Sequence, residues 1–199
     1  MRSWDVLSPV PLKAGGEVTA AFDQVGAPDY RAAARYISRL PYDRNRDADA
    51  VLAVLREGRG TCSTKHALLR RLAMEQSLEV VLAIGIYEMD AQNTPAVGSV
   101  LKKHGLAMLP EAHCYLRIPG NRVDVTRENN GNWPASSLKL FHEEDIAPEQ
   151  IGDYKAALHR QFLRQWIADT GAAGGRNLDE VWQIREECIL ALSNRAEAG

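Results

Sequence analysis

The stretch Gly58-Arg59-Gly60-Thr61-Cys62-Ser63-Thr64-Lys65-His66-Ala67-Leu68-Leu69 decides how the rest of the chain is read. Two glycines end the preceding segment. From Thr61 onward Ala67, Leu68 and Leu72 fall at helical spacing, with Lys65, Arg70 and Arg71 elsewhere. A helix therefore starts near Thr61, and Cys62 lies in its first turn. Unpaired N–H groups and the positive end of the helix dipole stabilise a thiolate there, which lowers the thiol pKa and makes the sulfur nucleophilic. Gly58 and Gly60 let the chain turn sharply and approach closely in front of Cys62. The plain alternative is an inert packing thiol, so the reading needs partners for Cys62.

A hairpin supplies them. Residues 112–118 and 122–126 flank Pro119-Gly120-Asn121, a turn signal between two alternating runs. With Pro119-Gly120 as a two-residue loop, Ile118 faces Asn121, Leu116 faces Val123, Tyr115 faces Asp124 and Cys114 faces Val125. One face then collects Cys114, Leu116, Ile118, Val123 and Val125, all apolar, and belongs in the core. The other collects His113, Tyr115, Arg117, Arg122, Asp124 and Thr126, so His113 and Asp124 become diagonal neighbours within side-chain reach. A three-residue loop would turn Asp124 onto the core face, so the apolar pattern selects the even register. A carboxylate beside an imidazole holds one tautomer and stabilises the charged ring, which can then take a thiol proton. Cys62, His113 and Asp124 thus offer a nucleophile, a base and an orienting acid. The alternative is a surface His–Asp pair on an exposed sheet face. Cys114, on the apolar side of its strand, and Cys188 read as packing thiols.

Working outward, residues 1–26 read as an irregular or strand-bearing lead-in, interrupted by Pro9, Pro11, Gly15 and Gly16. Tyr30, Ala33, Ala34, Ile37 and Leu40 mark a helix that Pro41 stops, and Ala50, Val51, Val54 and Leu55 mark another that closes at Gly58. Residues 78–87, β-branched and nearly all apolar, predict a central strand. Residues 90–110 read as a long connection with a helical turn at 97–103, a candidate substrate loop. Beyond Trp133-Pro134 the pattern turns helical: Pro148 suits a first helical position, followed by Ile151, Tyr154, Leu158, Phe162 and Trp166. After a break at 170–175, Asn177 with Glu180 signals a last helix through Val181, Ile184, Cys188 and Leu192. The Lys and Arg of these terminal helices alternate with acids and read as a solvated face. The expectation is an α+β protein: a core over 1–145, lead-in included, with a helical extension over 146–199 packed on it.

The chain has 199 residues, 45 % hydrophobic and 25 % charged, a size at which roughly 70 % of the unfolded surface is buried without disulfide or metal staples. Lys and Arg number 24 against 26 Asp and Glu, a formal charge of -2, so no basic excess advertises nucleic acid or an anionic membrane. No stretch approaches the about 20 apolar residues of a membrane span, and the N-terminus lacks a basic run followed by an apolar one. Three cysteines cannot all pair within one chain and match neither a disulfide framework nor a zinc ribbon. A reducing, cytoplasmic setting is the expectation.

Together, the run 58–69, a following strand, Glu111-Ala112-His113-Cys114-Tyr115-Leu116 and Val123-Asp124-Val125-Thr126 resemble the transglutaminase-like superfamily of papain-like folds. The resemblance covers roughly residues 30–127. It implies a nucleophile helix packed on an antiparallel sheet, with Cys62 as nucleophile, His113 as base and Asp124 as its partner. Where members often carry Trp after the strand His and shortly before the Asp, this chain has Cys114, and Asn121 with Arg122. Many members are peptidases or amidases, and nothing here is long enough for the flanking β-sandwiches of the calcium-dependent cross-linkers. The resemblance therefore implies hydrolysis or acyl transfer at an amide bond of a peptide, protein or small amide, without a cofactor.

An oxyanion hole should accompany such a triad. The backbone N–H of Cys62 is one candidate donor, and the segment before the helix offers Tyr42 and Asn45 as the polar groups for a second; their alternative is turn chemistry. His66, four residues after Cys62, invites a metal reading with His113 and Cys114, but adjacent strand residues cannot face one ion, and Cys62 with His66 leaves an incomplete shell. His66 reads instead as a helix-surface or supporting residue. The rival function is a non-catalytic peptide-binding scaffold, to be favoured if Cys62 stands far from His113 or if the terminal helices fill the groove.

Overall fold

The computed structural model describes residues 2–128 and 139–194; Trp133-Pro134 lies outside them. Among the described residues seven α-helices and four strands make an α+β fold: α1 (Glu17–Gln24), α2 (Tyr30–Arg39), α3 (Ala53–Glu57), α4 (Cys62–Glu75), β1 (Val81–Asp90), α5 (Gly98–Lys103), β2 (Met108–Ile118), β3 (Asn121–Val123), β4 (Leu140–Asp145), α6 (Asp153–Thr170) and α7 (Leu178–Asn194). The strands make one antiparallel sheet in the order β3-β2-β1-β4. Leu116 pairs with Val123 and Ile118 with Asn121, the register of the two-residue Pro119-Gly120 loop; Gly120 supplies the left-handed backbone that this turn demands.

Alternation along β1 and β2 splits the apolar side chains between two cores. Leu82, Ile84, Ile86, Ala112, Cys114 and Leu116 face α2 and α4 in one cluster, joined by Val123 and Val125. Tyr87, Met89 and Leu109 face the other way and pack with Leu163, Trp166, Val181, Ile184 and Cys188 of α6 and α7. His113 shares the odd-numbered face of β2 with Leu109 and Glu111, so the sheet turns it toward the terminal helices.

Several expectations change. The lead-in carries no strand among its described residues: a 3-10 turn at Ser3–Val6 precedes α1. Gly15 and Gly16 precede that helix rather than break it, and its first N–H groups, on Val18 and Thr19, are received by the Glu75 carboxylate of α4, a cap that no local pattern announces. The segment 90–110, read as a candidate substrate loop, carries the expected helical turn as α5. Val97, Leu101 and Leu106 are buried against the second cluster, and β2 begins at Met108, before the expected start at 112. β4 was not anticipated; Leu140 to Asp145 is mostly polar because it forms an edge of the sheet. The helix expected from Pro148 is interrupted: a 3-10 turn ends at Ile151, and α6 starts after Gly152.

Candidate active site

Cys62 opens α4 as its first helical residue. Thr61 caps the helix, its hydroxyl accepting from the N–H of Thr64 while the Thr64 hydroxyl accepts from the N–H of Thr61. The glycines before it work as the spacing implies. Gly58 is left-handed and ends α3, and Gly60 lies so close to α4 that a Cβ there would meet Thr64 Oγ1 at 2.9 Å and Lys65 Cγ at 3.0 Å. The N–H of Gly60 donates to Pro41 O and that of Asp43 to Gly60 O, fixing the segment around Tyr42 beside the nucleophile.

The structure brings Cys62, His113 and Asp124 together. His113 Nε2 lies 2.9 Å from Asp124 Oδ2, and the ring is hydrogen-bonded to the Cys62 thiol. The N–H of Cys114 also serves that sulfur. The second oxygen of Asp124 accepts from the N–H and the hydroxyl of Thr126, at 2.8 and 2.6 Å. Tyr115 stacks on one side of the His113 ring and Tyr87 meets it edge-on.

Charge follows this geometry. Burial alone would raise the Cys62 thiol, but the Lys155 ammonium, the His113 ring and the two hydrogen bonds outweigh it and hold the thiol low, at about 6. Burial alone would lower His113, yet Asp124 and the Cys62 sulfur raise it above the ordinary imidazole range. Against its own burial, Asp124 is kept far below the usual carboxylate range, chiefly by His113. The other thiols behave oppositely: burial raises Cys114 and pushes Cys188 up to about 12.

His66 is fully buried, which leaves, of its two readings, the supporting place and not the surface one. Its Nε2 accepts from the N–H of Val125 at 2.9 Å, so Nδ1 carries the proton and donates to Cys62 O at 2.7 Å. It ties the first turn of α4 to the segment bearing Asp124, and neither nitrogen is left for a metal. Lys65, off the apolar stripe of the helix, is buried too and donates to Leu40 O at 2.6 Å and Thr126 O at 2.8 Å. Residues 62–69 of α4 are all buried.

Tyr42 and Asn45 line a cavity of about 300 Å³ that reaches Cys62. Asn45 gives its Nδ2 to Arg59 O at 3.0 Å, and its buried Oδ1 has no partner. The Tyr42 ring lies under the Arg127 guanidinium. Much of the remaining wall comes from α6 and α7, through Lys155, His159, Trp182 and Arg185. Lys155 Nζ lies 3.8 Å from Cys62 Sγ and 2.8 Å from Ser63 Oγ. Arg185 grips Glu111 through two hydrogen bonds of 2.9 and 2.6 Å, and His159 Nε2 donates to Pro110 O at 2.9 Å. Lys155 and Arg185 are therefore not part of a solvated face. The signal was present but ambiguous: Lys155, His159, Leu163 and Trp166 lie at helical intervals, as do Ile151, Tyr154, Leu158 and Phe162, and packing buries the first set.

Comparison of the chain with protein-family models, with curated proteins and with solved structures returned no match. No described helix is long and apolar enough to cross a membrane.

Proposed function

We propose that this protein is a cysteine-dependent enzyme, transglutaminase-like in its core, that cleaves an amide or peptide bond. The supporting observation is the continuous chain from the Cys62 thiol through the His113 ring to the Asp124 carboxylate, with the sulfur on the wall of a cavity. The Cys62 thiolate attacks the carbonyl carbon; the S–C bond forms as the C=O π pair moves onto oxygen. When that pair returns, the C–N bond breaks, and His113 passes the proton it took from the thiol to the leaving amine. Water, deprotonated by His113, then attacks the thioester and frees the carboxylic acid and Cys62. The cycle needs no cofactor. A cavity of this volume stands at the small end of ligand sites, about 300–1,000 Å³, which suits a narrow acyl chain and then water.

One observation favours the second reading, a binding scaffold: α6 and α7 wall the groove, and Cys62 is only 6 % exposed. They leave the cavity open at the sulfur, and a low thiol pKa serves no purpose in a scaffold. Incubating wild type and Cys62→Ala with a library of peptides, glycan-peptides and small amides, followed by mass spectrometry, decides. Cleavage or an acyl adduct that requires Cys62 is the expected result; capture without turnover in both proteins sinks the enzyme reading.

A further inference from the structure

We propose that Lys155 is a catalytic residue, its ammonium being the side-chain donor that receives the oxyanion as Cys62 attacks. The proposal rests on the reading of Cys62 as nucleophile and adds what the triad lacks. Nζ lies 3.8 Å from Cys62 Sγ, and both residues line the cavity. At that separation a point about 3 Å from both exists, which is where a reacting oxygen must sit. An ammonium has three N–H donors; one goes to Ser63 Oγ at 2.8 Å and a second to Cys62 Sγ at 3.8 Å, which hold the group and leave the third for an incoming oxygen. Asn45, one of the two side chains expected to supply such a donor, is turned to Arg59 O instead.

The charge environment makes the same point. Lys155 is buried, and among the described residues no carboxylate forms an ion pair with it. Glu111, whose field reaches it, is clamped by Arg185, which opposes Lys155 in turn. The other groups near it include Ser63, Cys114, Cys62 and His159. A buried ammonium without a counter-charge is costly; the charge that can meet it is the one that develops on the Cys62 sulfur. When the S–C bond forms, that charge moves to the carbonyl oxygen, about 3 Å away, where the ammonium held on Ser63 Oγ still reaches it without giving up its proton. When the C=O bond re-forms, the charge leaves the oxygen and the ammonium keeps its place and its proton.

Two thiol reagents separate this role from simple thiolate stabilisation. Iodoacetamide alkylates by displacement and forms no oxyanion, whereas p-nitrophenyl acetate acylates through a tetrahedral one. Each rate is followed against pH to its plateau, where the thiolate is complete, in wild type, Lys155→Met, Lys155→Gln and Lys155→Arg. In Lys155→Met the alkylation plateau should stay near wild type while the acylation plateau falls about a hundredfold, the scale of losing one oxyanion donor. Lys155→Arg should recover part of that loss. Equal changes in both reactions, or no change in either, overturn the proposal. Circular dichroism identifies folded variants; if Lys155→Met unfolds, the Gln and Arg variants carry the same comparison. Release of p-nitrophenolate by wild type no faster than by Cys62→Ala would sink the nucleophile reading itself, and this one with it.

Discussion

Asp124 holds His113 at 2.9 Å, and Thr126 holds Asp124 through both its N–H and its hydroxyl. The three side chains share one face because two-residue alternation continues past the end of β3. Asp124→Asn replaces a charge acceptor with an amide and removes the preference for one tautomer. Acylation of Cys62 by p-nitrophenyl acetate should fall at least about a hundredfold, and the His113 ring protons, followed by NMR, should titrate at lower pH than in wild type. An unchanged His113 titration refutes the pairing.

The three thiols should separate by pH. The thiolate fraction rises with pH, and Cys62 is held at about 6 whereas Cys188 is pushed up to about 12. Near neutral pH iodoacetamide should modify Cys62 well ahead of Cys188, with the Cys62 rate levelling off while the Cys188 rate still climbs. Peptide mapping reads both sites, and equal labelling near neutral pH contradicts an activated thiol.

Stability should carry the signature of the His113–Asp124 pair. Asp124 is depressed in the folded state, so its contribution is present above the ordinary carboxylate range and lost as pH falls through the folded value. His113 is raised, to about 9, so its contribution is complete below the ordinary imidazole value and lost as pH rises through about 9. The difference in unfolding free energy between wild type and Asp124→Asn, measured in urea, should be largest between those limits and shrink on both sides. A difference that is flat with pH rules this out.

Lys65 joins the end of α2 to the segment after Asp124 through Leu40 O and Thr126 O. Lys65→Met keeps the bulk and strips both carbonyls of their donor, so stability should fall by about 1–3 kcal/mol. Denaturant titration checks the value; a neutral result would mean that water replaces the ammonium.

Arg185 is the counter-charge of buried Glu111, gripping it with two hydrogen bonds. Removing it in Arg185→Met leaves a buried carboxylate unpaired, at a cost of about 3–5 kcal/mol. Adding Glu111→Leu should restore most of that stability, since the double variant buries no lone charge. Failure of the second change to rescue would place the effect in the packing of α7 instead.

Much of the candidate site was legible because it is written in short periods. The turn at Pro119-Gly120 sets the register, and the register sets which side chains share a face. β4 was missed because an edge strand need not be apolar, and α1 was missed because its cap, Glu75, comes from another helix. The sequence leaves His66 between a surface and a supporting place, and Lys65 off the apolar side, because helical period marks one apolar stripe; here the segment after β3 closes over both.

By itself, the sequence determined that Cys62 opens a helix and that His113 and Asp124 share a face, since both follow from backbone periodicity and capping within a few residues. Only the tertiary structure decided that the helix start meets the hairpin, that Lys155 reaches Cys62 across 93 residues and that Arg185 reaches Glu111 across 74. The physical reason is that a charged side chain on an amphipathic helix has two homes, water or a buried counter-charge. The choice between them belongs to the partner that packs against it, which no local pattern contains.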